Sequence, residues 1–84
     1  METELPPPNV LFVEDDADDR LAIRMHMELM GFFVYDTPSP IEGKEIFEQH
    51  DFNLVIIHMA HLPLRGLELC RWIRAASTVR SEER

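Results

Sequence analysis

The sequence predicts an α/β domain with a three-stranded parallel sheet in the spatial order 2-1-3 and the element order βαβαβα. Residues 10–13 (VLFV) and 54–57 (LVII) are apolar runs without alternation, which is typical of strands covered on both faces. A segment with helical spacing follows each predicted strand. Because strand–helix–strand crossovers are right-handed, we expect the first helix on one face of the sheet and the other two on the opposite face.

The first strand begins at Asn9, and the first helix begins at Asp16 or Ala17 and ends near Met30. Acidic residues in its first turn suit the helix dipole, and Gly31 suits the position just after a helix. Three apolar residues at helical spacing predict the face that covers the sheet: Leu21, Met25 and Leu29.

The second and third units repeat this pattern. Residues 32–35 are the next strand candidate, and prolines end it. A second helix covers about residues 40–49, with Ile46 and Phe47 as its main apolar contacts. A third helix covers residues 67–76. Its predicted buried stripe is Leu69, Cys70 and Ile73.

The 84-residue chain makes one domain, and a chain of this size buries a modest fraction of its surface. We therefore expect a thin stability margin, for which oligomerisation is a remedy. Cys70 is the one cysteine, and its place in an apolar helix pattern indicates a packed thiol. We expect residues 1–8 to form a poorly ordered arm, residues 9–78 the domain and residues 79–84 a polar tail.

Acidic residues outnumber basic ones by 16 to 8, which gives a formal net charge of −8. This charge opposes binding to nucleic acid or to an anionic membrane, whereas cationic partners or metal ions fit it better. No apolar run approaches the ~20 residues needed to span a bilayer, and the N-terminal residues lack the pattern of a signal peptide. These features indicate a cytoplasmic protein.

Three segments together resemble the receiver domain of two-component response regulators: VLFVEDDADDR, NLVII and GLELCRWIRA. The resemblance covers residues 9 to about 78. It implies that Glu14 and Asp15 correspond to the acids that hold Mg²⁺ in that family. It also implies that the place of the phosphoryl-accepting aspartate falls on His58, or on Met59 if the following proline sets the alignment. Neither residue is a carboxylate.

A complete receiver has five βα units, and the last two supply a hydroxyl residue and a lysine that bind the phosphoryl group. This chain ends after the third predicted helix. The resemblance therefore implies a truncated receiver that lacks the acceptor aspartate and is deficient in phosphorylation. It also implies that the strand at residues 54–57, central in a complete receiver, becomes an edge strand.

The acids after the first strand have two interpretations. Glu14, Asp15 and Asp16 cluster oxygen ligands for a divalent cation, but acids at a helix N-terminus are also good caps. We favour capping, with weak Mg²⁺ binding at most.

His58 and His61 would lie near these acids, and imidazole with carboxylate suits Zn²⁺ or Ni²⁺. The possible metal-binding set is therefore Glu14, Asp15, His58 and His61.

His58 has three interpretations. It is an adventitious metal ligand, a phosphohistidine, or an imidazole hydrogen-bonded to Glu14 or Asp15 that replaces the charge of the metal. We favour the third, because histidines with short spacing in a loop are a common accident. In that state the pKa of His58 lies above ~6.5.

The third helix offers a candidate interface. Trp72 lies between Arg71 and Arg74, a composition typical of an interface anchor, while covering apolar surface within the monomer is the equal alternative. An edge strand at residues 54–57 would leave unpaired backbone groups and apolar surface in water. The predicted interface residues are Leu54, Val55, Ile56, Trp72 and Ile73.

The sequence contains no phosphate-binding loop and no recognisable catalytic set, so we expect no enzymatic activity and no required cofactor. The expected function is a signalling or scaffolding module that is independent of aspartyl phosphorylation. It would act as a homodimer, or with a receiver or sensor kinase. Two alternatives remain: a metal-sensing or phosphohistidine switch based on His58, and an inactive fragment of a larger receiver.

Overall fold

The computed structural model describes residues 6–82. Six elements alternate along the chain: β1 (Asn9–Glu14), α1 (Ala17–Leu29), β2 (Phe33–Thr37), α2 (Pro40–Gln49), β3 (Leu54–His58) and α3 (Pro63–Glu82). The three strands form one parallel sheet in the order β2-β1-β3. The predicted fold class, element order and strand order are confirmed.

β1 is the central strand, and five of its six residues are buried. Its side chains alternate between the two faces of the sheet, so each face has its own core. The core beneath α1 consists of Val10, Phe12, Met27 and Val34. The core beneath α2 and α3 consists of Leu11, Val13, Phe47, Met59, Leu69 and Ile73. These two cores confirm the predicted placement of the helices.

α1 turns a different side to the sheet from the one predicted. Leu21, Met25 and Leu29 are 57%, 53% and 83% exposed, whereas Met27 is 7% exposed. The prediction that the first three residues cover the sheet was wrong, because the apolar spacing of this helix is compatible with more than one orientation.

An ion-pair network between α1 and β2 selects the observed orientation. Arg20 Nε lies 3.3 Å from Asp36 Oδ2, and Arg24 Nη1 lies 3.0 Å from Asp36 Oδ1. The side chains of Arg20 and Asp36 are each only 20% exposed. Pairing allows these charged groups to lie partly buried. The arginines therefore stay on the sheet side of α1, and Leu21, Met25 and Leu29 face solvent.

α2 has the predicted bounds and packs very close to β1. The Glu42 N–H donates to the Ser39 side chain, which caps the helix, and Phe47 is buried. A Cβ at Gly43 would meet Val13 Cγ2 at 3.1 Å. The absence of a side chain at Gly43 allows this approach.

α3 is longer than predicted. It begins at Pro63 rather than at residue 67 and continues to Glu82 rather than ending at residue 76. Proline is well tolerated in the first turn, where its missing N–H would have no intrahelical partner. Residues 79–82 of the predicted tail are helical, while residues 83–84 and residues 1–5 of the predicted arm lie outside the described residues. No helix within residues 6–82 has the length and apolarity to cross a membrane.

Met25→Ala and Met27→Ala form a matched test of the orientation of α1. Met27 is buried, so its truncation leaves a cavity and should lower the free energy of unfolding by about 2–5 kcal/mol. Met25 is exposed, so the same truncation should change that free energy by no more than about 0.5 kcal/mol. Urea denaturation followed by circular dichroism measures both. Equal losses for the two variants would contradict the orientation.

Candidate functional site

The candidate site lies at the carboxyl ends of β1 and β3, the edge where open α/β sheets bind their ligands. The parallel register places Glu14 beside His58. Asp15 and Asp16 lead from β1 into α1, and His61 lies between β3 and α3. The fold therefore brings these five predicted residues to the same edge of the sheet.

A hydrogen bond joins the ends of the two strands. His58 Nδ1 lies 2.6 Å from Glu14 Oε1, and the Asp16 N–H donates to Glu14 Oε2 at 3.2 Å. The Glu14 side chain is fully buried, whereas that of His58 is 60% exposed. With Glu14 ionised, Nδ1 must carry the donated proton, since a carboxylate only accepts. The imidazole–carboxylate hydrogen bond predicted from the sequence is thus present, with Glu14 as the acceptor.

This contact raises the pKa of His58 above its ordinary value. The hydrogen bond to Glu14 is the largest cause, and the negative charge of Glu14 is the next. Partial desolvation opposes the shift, and the charges of Asp19 and Asp15 add to it. Each favourable cause stabilises the imidazolium form.

Asp15 connects the two loops of the site. Its Oδ2 accepts hydrogen bonds from the N–H groups of His61 at 2.8 Å and Leu62 at 3.1 Å. Its Oδ1 is buried and has no hydrogen-bond partner among the described residues. A buried oxygen without a partner is costly. Asp15 Oδ1 is therefore the atom of this site at which an additional donor would be most stabilising.

Asp16 caps α1. Its Oδ1 accepts a hydrogen bond from the Asp19 N–H at 2.9 Å, and this contact lowers the pKa of Asp16. His61 Nε2 lies 3.7 Å from Asp16 Oδ2. The capping interpretation is confirmed for Asp16, whereas Glu14 holds His58 and Asp15 holds the loop after β3.

The four predicted metal ligands do not act as one ligand set. Glu14 and His58 bond to each other, and Asp15 uses one oxygen on two backbone N–H groups. Among the side chains that the structure describes, at residues 6–77, no three of Asp, Glu, His or Cys are grouped so that they could hold a metal ion. The arrangement does not fit Mg²⁺, because the imidazole of His58 lies against the Glu14 oxygen that the cation would need.

Two residues near the site were not predicted. Arg20 Nη1 donates to the backbone oxygen of Glu14 at 2.9 Å, and its Nε pairs with Asp36. Arg20 follows Asp16 by one helical turn, so its spacing in the sequence could have placed it near the site. No local signal identified Asp36, because its partners lie on another element.

A second feature lies along the outer edge of β3. Leu54 is 46% exposed, and the next three residues of this edge strand are half-buried. An apolar groove of about 550 Å³ opens between β3 and α3. We call it the β3–α3 groove. Its apolar lining includes Val55, Ile57, Met59, Pro63, Leu67 and Cys70.

The predicted interface residues of α3 contact the interior of the monomer. Ile73 is 8% exposed and lies in the core with Leu69, which confirms its place in the predicted buried stripe and shows that its prediction as an interface residue was wrong. The half-buried ring of Trp72 packs edge-on against Phe47, with the ring centroids 5.9 Å apart. Lys44 Nζ lies 5.4 Å from the centroid of the same ring. Of the two interpretations of Trp72, the covering of apolar surface within the monomer fits these contacts.

Several curated proteins are similar to this chain. The transcriptional regulatory protein CseB of Streptomyces avermitilis is 38% identical over 71 residues, which are 84% of this chain and 30% of CseB. The aerobic respiration control protein ArcA of Escherichia coli is 31% identical over 72 residues, which are 86% of this chain and 30% of ArcA. The cell cycle transcriptional regulator CtrA of Caulobacter vibrioides is 28% identical over 67 residues, which are 80% of this chain and 29% of CtrA.

The chain therefore spans about 30% of the length of the curated relatives it matches. No protein-family model matches the chain, and no solved structure matches it with significance.

An NMR titration of the imidazole protons tests the contact between His58 and Glu14. We expect His58 to titrate above ~6.5, and Glu14→Gln to return its pKa toward that value, because glutamine keeps the shape and removes the charge. Since the folded-state pKa is raised, the contribution of the pair to stability is fully present below the unfolded pKa. It is lost as the pH rises through the folded pKa. Titration of wild-type His58 at or below its ordinary pKa would contradict the contact.

Proposed function

Because the chain is homologous to response regulators over about 30% of their length and has a receiver-like βα fold, we propose that it is a non-enzymatic signalling module. It acts by protein–protein contact and does not use aspartyl phosphorylation. The observation that carries this proposal is the hydrogen bond between His58 and the buried carboxylate of Glu14.

His58 takes over the role of a cation at this site. By the resemblance to receivers, Glu14 and Asp15 occupy the places of the Mg²⁺-holding acids, and His58 occupies the place of the acceptor. A buried carboxylate needs a positive or hydrogen-bonded partner. An imidazolium with Nδ1 at 2.6 Å from Glu14 is such a partner, and the raised pKa of His58 favours that form. The Glu14 carboxylate then has its partners without Mg²⁺ and without a phosphoryl group.

The remaining acids are committed to other contacts. A carboxylate nucleophile must present an oxygen to the phosphorus atom. Asp15 uses Oδ2 on two backbone N–H groups, and its Oδ1 is buried. Asp16 caps α1. These contacts support a mode of action that is independent of phosphorylation.

The outer edge of β3 and the β3–α3 groove are the proposed contact surface. An edge strand presents unpaired backbone N–H and C=O groups, which template pairing with another strand. Leu54 is 46% exposed on this strand, and Val55 and Ile57 of the same strand line the apolar groove. Burying such surface stabilises an assembly by roughly 25 cal/mol per Å². The proposed partner is a second copy of the chain, and a receiver or sensor kinase is the alternative partner.

Treatment with acetyl phosphate and Mg²⁺ tests independence from phosphorylation. We expect no acyl phosphate on the chain, because no carboxylate occupies the acceptor place. Intact-mass spectrometry measures the product, with a receiver that has an acceptor aspartate as the positive control. His58→Asp should raise the affinity for Mg²⁺ in calorimetry, because it adds a third carboxylate. A phosphoryl group on Asp15 or Asp16 would refute the proposal, and one on His58 would favour the phosphohistidine alternative.

Light scattering over a concentration series tests self-association. We expect a wild-type dimer that Leu54→Lys weakens at least about tenfold in dissociation constant, because a charge on an edge strand opposes pairing. Phe33→Lys is the matched control: it places the same charge on β2, the other edge strand, at a position that is 52% exposed. It should leave the dissociation constant unchanged. A wild type that stays monomeric at high micromolar concentration would refute self-association, and a cooperative unfolding transition would weigh against an inactive fragment.

A further inference from the structure

We infer that two copies of the chain join their β3 strands into one continuous six-stranded sheet, with the β3 strands antiparallel and Ile56 on the two-fold axis. This inference rests on the proposed self-association and specifies its geometry.

β3 is better suited to such a junction than β2, the other edge strand. β3 reads LVIIH and contains no acidic residue. β2 contains Asp36, which is held by ion pairs with Arg20 and Arg24. An acidic residue on an edge strand of an acidic chain opposes pairing with a second copy, and an apolar edge such as residues 54–57 favours it. The sheet therefore has one edge that resists extension and one that permits it.

The register follows from symmetry. A two-fold axis perpendicular to the sheet makes the two β3 strands antiparallel and keeps the corresponding faces of both copies on the same side. Full overlap of β3 (Leu54–His58) then places Ile56 opposite the partner's Ile56, and Leu54 opposite the partner's His58. Any other register leaves part of the strand unpaired. When all five residues overlap, every backbone N–H and C=O of β3 that points away from β1 pairs with the partner strand.

The same symmetry brings the two β3–α3 grooves together. Both copies of α3 lie on one face of the joined sheet, one on each side of the axis. Leu67 and Cys70, which line the groove beside β3, then face their counterparts across the junction. One apolar layer would cover the joined β3 strands on that face. Backbone pairing and apolar burial thus occur in a single contact.

The distribution of charge favours this surface for contact between two acidic chains. Residues 6–52 contain eleven Asp and Glu against three Lys and Arg, whereas residues 53–77 contain one Glu against three Arg. Contact through α1, β2 or α2 would therefore bring strongly negative surfaces together. The β3 and α3 part of the chain has no negative excess, so a second copy can approach there at the lowest electrostatic cost.

Disulfide cross-linking tests this register in a Cys70→Ser background. Ile56→Cys should form a symmetric disulfide under mild oxidation, because residues directly opposite in an antiparallel pair have Cα atoms about 4.5–5.5 Å apart, within the range that a disulfide spans. Leu54→Cys is the matched control. The two copies of that position lie four residues apart along the strands, roughly 13 Å, which is too far. Ile56→Cys should therefore cross-link at least about tenfold faster. Phe33→Cys on β2 should not cross-link.

Hydrogen exchange in the unmodified chain gives a second measurement, in case Ile56→Cys folds poorly. The backbone amides of β3 that point away from β1 should become protected as the protein concentration rises, while the outer amides of β2 should not.

A dimer by light scattering in which Leu54→Cys or Phe33→Cys cross-links as fast as Ile56→Cys would overturn this geometry and leave the proposed self-association intact. A chain that stays monomeric would overturn both. Protection of the β3 amides only after a different receiver is added would assign the edge to that partner, and would also overturn the inference.

Discussion

The burial of β1 is the constraint on which the rest of the structure depends. A parallel strand that is covered on both faces needs a neighbouring strand on each edge and a layer of helices on each face. β2 and β3 fill the edges, α1 covers one face, and α2 with α3 covers the other. Both functional features follow from this arrangement. The carboxylate that ends β1 is buried, and β3 is left with an open outer edge among the described residues.

Because β1 is buried, the carboxylate of Glu14 at its end needs partners within the protein. The strand continues past its apolar residues to a side chain that is fully buried and carries a carboxylate. Such a group has to receive hydrogen bonds or positive charge. The N–H of Asp16 donates a hydrogen bond to it from the start of α1, and the imidazole of His58 bonds to it from the end of β3. The site is thus a structural joint between three elements.

The charged residues are distributed unevenly between two parts of the molecule. The acids are concentrated in the part of the chain that forms β1, α1, β2 and α2, and the arginines of α1 are held by Asp36. The β3 and α3 part combines an apolar groove with an open strand edge and a small positive excess. A surface of this composition suits contact between proteins, whereas the acidic part of the chain keeps like molecules apart. The proposed function uses both properties.

The sequence by itself determined the order of the elements, because unalternated apolar runs and helix caps are local signals. It also indicated that His58 would meet Glu14, since both end neighbouring parallel strands. The tertiary structure decided which side of α1 covers the sheet. Met25 and Met27 are equally apolar, and the orientation of the helix depends on ion pairs with Asp36, which lies on β2. It also decided where α3 begins. Gly66 is typical of a loop, but in α3 a Cβ at this position would lie 2.8 Å from Met59 Cγ, so its missing side chain serves packing within a helix. Both decisions depend on contacts between elements, and a local sequence pattern carries no information about such contacts.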